Sequence, residues 1–402
     1  MSSGTDTVQP TVKESVSVLL APGIFPPDSG GPATFVSSLG RELVNRGHSV
    51  RVVTNGRASS GFDDRFPFKV VRIPRGDSVV FRYARQIRTL VAELRSYEPD
   101  VMLVNAFDLQ AITAGRIVGV PTVSKIVGDA AWERARRSGE TCNDIETFQQ
   151  FTFNPKLEGW KLLRTAPVRL ADHVAVPSKF LRSLVTGWGV APDRTSVIYN
   201  AIDIERPSIT DSDRPPRIVT VGRLVPWKGI GGIVDAFERA DVPDAELHVI
   251  GDGPERDTLE AHADKRGVSE QVVFHGRIPH ERVLDIVSRS RVFALNSTYE
   301  GLPHVVLEAM ACGTPVVASA VCGTPEAITD GEDGFLVEQD DIEAFSERFE
   351  QLLSNSSLRS QLRTQAYKRL ESQFEHEQMV AEYETLLRKV ASARDGHRKK
   401  NG

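Results

Sequence analysis

Two carboxylates, Glu300 and Glu308, are separated by seven residues in the run Glu300-Gly301-Leu302-Pro303-His304-Val305-Val306-Leu307-Glu308. Pro303 reads as the first position of a helix, where a missing N–H costs nothing. Cys312-Gly313 with Pro315 behind it reads as the stop. Glu300 is then on the loop before the helix and Glu308 inside it. Between them lie the free N–H groups of a helix start, which attract an anion. Gly301 lets a ligand approach the backbone closely. Pro303 and Glu308 are roughly 7.5 Å apart along the axis. The layout is carboxylate, phosphate-sized anion site, second carboxylate.

A sugar nucleotide has the matching layout of sugar hydroxyls, diphosphate and ribose hydroxyls. Carboxylates flanking a helix start are also stabilising without any ligand, so other segments must decide. Gly222-Arg223-Leu224-Val225-Pro226-Trp227-Lys228-Gly229 follows an apolar strand pattern. It sets a forked and a compact cation beyond the strand's carboxyl end, where phosphate is held. Ser29-Gly30-Gly31-Pro32 is a similar glycine turn after the first strand, and Gly31 opens a helix start to a ligand. Gly251-Asp252-Gly253-Pro254-Glu255 superficially suggests a dinucleotide fingerprint but lacks the third glycine, and reads as a strand-to-helix turn. Asp129, after Gly128 and before Ala-Ala-Trp-Glu, fits two roles equally: helix cap, or a carboxylate facing a substrate hydroxyl. In 147–170 most of Phe148, Phe151, Phe153 and Trp160 read as core, a minority as an apolar acceptor groove or membrane contact.

These residues need a scaffold. At 402 residues the chain suits two domains. Net charge is −5, with no basic stripe, so nucleic acid is not an expected partner. Cys142, Cys312 and Cys322 form neither a disulfide framework nor a zinc pattern, and the nine His make no His-x-x-x-His pair. No metal site is expected, and the cysteines fit a reducing cytoplasm. No stretch approaches roughly eighteen uninterrupted apolar residues.

Short β-branched runs alternate with helical patterns, which predicts parallel α/β architecture. Strands are predicted at 16–20, 50–54, 70–73, 101–105, 122–127, 173–176 and 196–199, with helices such as 33–45 and 81–96 between them. Pro207, Pro215 and Pro216 among polar residues mark 201–217 as a linker. Strands resume at 218–221, 247–250, 272–274, 292–295, 315–318 and 335–337. The expected division is a disordered tail at 1–14, a first domain over 15–205, a second over 206–375, a helix at about 376–392 crossing back to the first, and a basic tail at 393–402.

Taken together, the Glu300/Glu308 segment, Gly222-Arg223…Lys228-Gly229, Val249–Pro254 and Tyr199-Asn200-Ala201-Ile202-Asp203 resemble glycosyltransferase family 4, the glycosyl transferases group 1 type. The resemblance runs from about Ser15 to Leu387. It implies a GT-B fold, two Rossmann-like parallel-sheet domains facing a central cleft. It further implies a retaining, metal-independent transferase that needs no cofactor and works in polysaccharide or glycoconjugate synthesis. A nucleotide-diphosphate-sugar donor sits mainly on the second domain. A carbohydrate or lipid-linked sugar acceptor sits mainly on the first. By the same resemblance Arg223 and Lys228 neutralise the departing diphosphate, Glu300 lies beside the transferred sugar and Glu308 binds the ribose. Gly222, Gly301 and Leu302 lend backbone to the donor, Gly31 lies near the diphosphate, and Arg277 and Ile278 hold the nucleobase. Many family members carry His where this chain has Asp129, so hydroxyl recognition there differs. A cytoplasmic protein is implied, with peripheral contact to the inner membrane face left open. The same fold also serves sugar-nucleotide epimerases, phosphorylases and non-catalytic nucleotide-sugar-binding proteins.

Overall fold

The structure is a computed structural model. It describes residues 15–398 save 29, 58, 77 and 203–207, and gives only the backbone of 212 and 394–398. The expected tail at 1–14, Ser29 of the first glycine turn, Asp203, the boundary at 205 and residues 399–402 lie outside the described residues.

Two parallel sheets account for the fold, as the alternating pattern predicts. The first contains β1 (Ser17–Pro22), β2 (Ser49–Asn55), β3 (Lys69–Ile73), β4 (Val101–Asn105), β5 (Thr122–Lys125), β6 (His173–Val176) and β7 (Thr195–Val197), in the order β3-β2-β1-β4-β5-β6-β7. The second contains β8 (Arg217–Val221), β9 (Glu246–Ile250), β10 (Val272–Gly276), β11 (Val292–Leu295), β12 (Val316–Ser319) and β13 (Phe335–Val337), in the order β10-β9-β8-β11-β12-β13. Every residue of β4, β6, β11 and β12 is buried. Helices cover both faces, so these strands need apolar side chains pointing both ways.

In each sheet the strand order reverses once, between β1 and β4 and between β8 and β11. Loops leaving the two strands at such a reversal diverge to opposite faces and leave a crevice between them. In the second domain those loops are 222–229 and 296–303, the two segments that the sequence marked for chemistry.

Two differences from expectation have local causes. The strand expected over 122–127 ends at Lys125, because the chain turns to enter the helix Ala130–Arg137. The helix expected to start at Pro303 starts at His304, with Pro303 as its cap. It ends as expected, at Cys312, with Gly313 in the left-handed region at φ 66°. The described part of 201–217 is more than a spacer. Arg214 is buried and donates to the carbonyls of Gly313 at 2.6 Å and Cys312 at 3.0 Å, fixing the strand that follows.

The terminal helix, His376–Arg398, lies on the first domain: Val380, Tyr383 and Leu387 join the same apolar cluster as Val18, Leu20 and Leu39. Glu384 is anchored by Arg46 at 2.9 Å and His48 at 3.0 Å. A second tie runs the other way. Glu326 of the second domain accepts the N–H groups of Lys179 and Phe180, both at 2.8 Å, and the Tyr199 hydroxyl at 3.0 Å. These two N–H groups begin the helix Lys179–Gly187 of the first domain, so a carboxylate from one domain caps a helix of the other.

Candidate functional site

The loop after β8 folds into a short turn of 3₁₀ helix, Pro226–Lys228, before the helix Ile230–Ala240. Gly229 connects them at φ 60°, and a Cβ there would lie 2.0 Å from the Asn296 carbonyl oxygen. Only glycine fits, and the close approach draws the loop against the one leaving β11. Lys228 Nζ consequently meets Glu300 Oε1 at 2.5 Å, and the Ser297 hydroxyl donates to the same oxygen at 2.7 Å. The Gly251 turn braces this loop from the other side. A Cβ on Gly251 would come within 1.8 Å of the Gly222 oxygen, and Leu224 N–H donates to the Asp252 carbonyl at 3.1 Å. That turn supports the cationic loop, in keeping with its reading as a strand-to-helix turn.

Arg223 points across the cleft and pairs with Glu133 of the first domain at 3.4 Å. It remains about half exposed, so the pair is weak in water. The wall around it is aromatic. Trp227 and Tyr299, from the second domain, pack on Trp132 of the first with ring centroids 5.8 and 5.0 Å apart. The Tyr299 hydroxyl accepts the Asp129 N–H at 3.0 Å. Burial, with Asp129 adding to it, raises the Tyr299 pKa well above its ordinary value, so it stays a neutral hydroxyl.

Gly301 is a point of close approach between the two domains. A Cβ there would lie 2.5 Å from the Val127 carbonyl oxygen and 2.8 Å from Leu181. The missing side chain lets the first domain's backbone come close on that side. Leu302 is buried in the second domain's core.

Of the two roles open to Asp129, the structure shows the cap. Its carboxylate is fully buried and accepts the N–H groups of Ala131 and Trp132 at 2.9 and 3.0 Å. Its other oxygen takes Gln149 at 3.0 Å and the Arg164 guanidinium. In this structure the carboxylate has no exposed face.

Glu308, just over one turn into the helix His304–Ala311, lies 3.8 Å from His280. Burial raises its pKa, with His280 working in the opposite direction. His304 is pushed down to about 4 by burial, with the Lys125 charge adding to the shift, so it is neutral at pH 7. Gly31 begins the helix Gly31–Asn45 and has open space where a side chain would be. Arg277 is exposed after β10, and Ile278 packs on the core beside Val283. Among the described residues, no hydrogen bond or ion pair ties Gly31, Arg277 or Ile278 to the Lys228–Glu300 and Arg223–Glu133 pairs. Among the described residues, too, no three His, Cys, Asp or Glu side chains cluster as metal ligands.

The fold brings to the cleft residues that sequence reasoning left without a role. Glu133, Trp132 and Tyr299 meet only through the fold, and Lys125 ends a strand with no motif around it. Tyr299 stands directly before Glu300, and that adjacency was the one signal on offer.

Two family models match end to end. Residues 29–206 match the Glycosyltransferase Family 4 model and residues 201–369 match Glycosyl transferases group 1. The chain belongs to the group 1 glycosyltransferases. Among similar proteins is the GDP-mannose-dependent alpha-(1-6)-phosphatidylinositol monomannoside mannosyltransferase of Mycolicibacterium smegmatis, 29% identical over 84% of this chain and 89% of that one. The N-acetyl-alpha-D-glucosaminyl L-malate synthase of Bacillus anthracis is 25% identical over 90% of this chain and 94% of that one. Among solved structures, a sucrose-phosphate synthase from Thermosynechococcus elongatus superposes with a TM-score of 0.78 at 22% identity, over 94% of this chain and all of that one. Anabaena Alr3699/HepE, solved with UDP and glucose, gives 0.75 at 18%, over 92% of this chain and 99% of that one. These likenesses establish the GT-B fold. As a group 1 member, the protein is a glycosyltransferase of glycoconjugate or polysaccharide-type synthesis.

Proposed function

We propose that this glycosyltransferase moves a sugar from a nucleotide-diphosphate-sugar to an acceptor hydroxyl with retention at the anomeric carbon and without a divalent metal. The observation that carries the reading is the convergence of Arg223, Lys228 and Glu300 on the β8/β11 crevice, facing the first domain. Anabaena HepE, which shares the fold, has been solved with UDP-glucose, and its ligand belongs to the donor class proposed here.

In this mechanism the bond between the anomeric carbon and a phosphate oxygen breaks. Negative charge grows on the leaving diphosphate while the sugar ring becomes positive. Lys228 and Arg223 leave their carboxylate partners for the diphosphate and stabilise the charge as it develops, a contribution of about 3 kcal/mol for one such donor. Glu300, freed from Lys228, accepts hydroxyls of the transferred sugar. Glu308 accepts the ribose hydroxyls. The backbones of Gly222, Gly301 and Leu302 line the donor, Gly31 meets it from the first domain, and Arg277 and Ile278 hold the nucleobase. The acceptor's proton passes to a donor phosphate oxygen on the same face. Asp129 acts at one remove, by capping the helix that carries Trp132 and Glu133.

A thermal-shift panel of uridine, guanosine and adenosine diphosphate sugars tests the reading. A ligand bound only by the native state raises the melting point, so one donor should stand out. Lys228→Ala should abolish that shift. Turnover in EDTA and the anomeric signal of the product then decide metal use and stereochemistry. Donor conversion without any acceptor, or tight binding without turnover across an acceptor panel, would replace the transferase reading.

A further inference from the structure

The first domain has its own cavity at the carboxyl ends of its strands, with a volume of about 560 Å³. It lies at the β1/β4 reversal, where Gly23 and Ala106 line it, and it reaches Glu133, the partner of Arg223. The cavity therefore adjoins the proposed diphosphate site. Its walls divide by chemistry. The floor is polar and buried: Gln110 donates to Gln86 at 3.1 Å, and Gln86 donates to Asn55 at 2.6 Å. Two arginines stand at the walls with no carboxylate partner among the described residues: Arg82, against the Tyr83 ring, and Arg134, stacked 4.7 Å from the centroid of Trp160. The mouth is apolar. Leu109 and Leu163 line it and are 36% and 57% exposed. Leu162, adjacent to Leu163, is exposed too.

Exposed apolar side chains grouped together are costly to leave in water, and with unpaired cations beside them they point to one kind of ligand. We propose that this cavity holds the headgroup of an anionic amphiphile, a lipid bearing phosphate or carboxylate, with Arg82 and Arg134 on the anion and the hydrocarbon chain across Leu109 and Leu163. Arginine pairs with such oxygens through two parallel N–H bonds. The polar floor receives headgroup hydroxyls, and the opening toward Glu133 and Arg223 leads one of them to the donor. Calling the lipid the acceptor rests on the transferase reading above. The binding site itself does not.

Calorimetric titration below the micelle concentration tests this with three probes: dihexanoylphosphatidylglycerol, dihexanoylphosphatidylcholine and glycerol phosphate. The anionic lipid should bind at least roughly tenfold more tightly than either of the others, since one lacks the net charge and the other the chain. Arg82→Ala with Arg134→Ala should weaken the anionic lipid about tenfold. Leu109→Ser with Leu163→Ser should weaken it while leaving glycerol phosphate unchanged. All four side chains are exposed or half-buried, and circular dichroism checks that each variant folds. Equal binding of the two lipids, no binding of any probe, or variants with wild-type affinity would overturn the proposal. UDP titrated into the same samples separates the two claims: UDP binding without lipid binding sinks this inference alone, and loss of nucleotide binding in the wild type strikes the donor reading.

Discussion

The two edges of the cleft solve different problems. On the second domain, cations and carboxylates lie close together and are kept available: Lys228 on Glu300, and Arg223 reaching over to Glu133. On the first, the corresponding carboxylate, Asp129, is fully engaged in a cap and a buried ion pair with Arg164. A charge whose partner can be exchanged for a ligand's can do chemistry. A charge whose every partner is a backbone N–H or a buried guanidinium holds architecture. Substitutions should therefore separate the two edges by what they damage.

The largest effect is expected at Lys228. Lys228→Ala should lower kcat by about 10²- to 10³-fold, the loss of one preorganised donor at developing charge. The melting point should fall less than in the Asp129 variant below, since Lys228 and Glu300 keep 18% and 12% of their side-chain surface in water whereas Asp129 keeps none. Steady-state kinetics with the donor selected by the thermal panel measures it. Near-normal kcat would make this edge as structural as the other.

Asp129→Asn should show the opposite signature. Asparagine still caps a helix, but Arg164 is left buried without its charge partner, at a cost of about 3 kcal/mol. A lower denaturant midpoint, with kcat largely kept at temperatures where the protein is folded, is the expected result. A collapse of kcat at unchanged stability would return Asp129 to the chemistry.

Gly301→Ala tests whether the edges must touch. Its Cβ would strike the Val127 carbonyl, which cannot rotate away, so the domains must part by a few tenths of an ångström. Misplacing the two substrates by such distances should cost about tenfold in kcat, with donor binding kept. An unaffected kcat would mean that the cleft works in a more open form than this one.

How much of this was written in the chain follows from how far apart the partners are. The donor edge is local. Gly222 to Lys228 is one loop, and Glu300 to Glu308 is a loop and its helix, so the placement of their residues beyond β8 and β11 was readable from strand patterns and helix punctuation. The acceptor edge is not local. Its cavity draws on 23, 55, 82–86, 106–110, 125–134 and 160–168, brought together only by the sheet order. Phe151 and Phe153 show the same limit. Composition could not say which aromatics of 147–170 are core and which are surface, and these two are 71% and 96% exposed and pack edge to face on each other. Apolar content says that a side chain prefers burial, and only the tertiary fold says whether a surface was provided. Gly301 was read as a point where a ligand approaches the backbone, and sequence alone could not say that the first domain's own backbone comes close there.

Lys125 carries the comparison into the interior and predicts the smallest effect. The second domain meets its cleft cations with carboxylates, whereas the first buries Lys125 with none. Among the described residues its ammonium bonds only Asn200 at 2.9 Å and the Tyr383 hydroxyl at 3.0 Å, with the Phe35 ring face 3.7 Å away. Burial pulls its pKa down from 10.5 to about 7. Below about pH 7 both folded and unfolded chains hold the proton, and the burial penalty is fully present. Between about 7 and 10.5 the unfolded chain holds it and the folded one does not, so stability must rise with pH. Lys125→Met lacks this slope. The wild type should gain on the variant by a few degrees in melting point from pH 7 to pH 10. Parallel curves would show that the Phe35 and Tyr383 rings keep the ammonium charged throughout, and that aromatic faces in the first domain do what carboxylates do in the second.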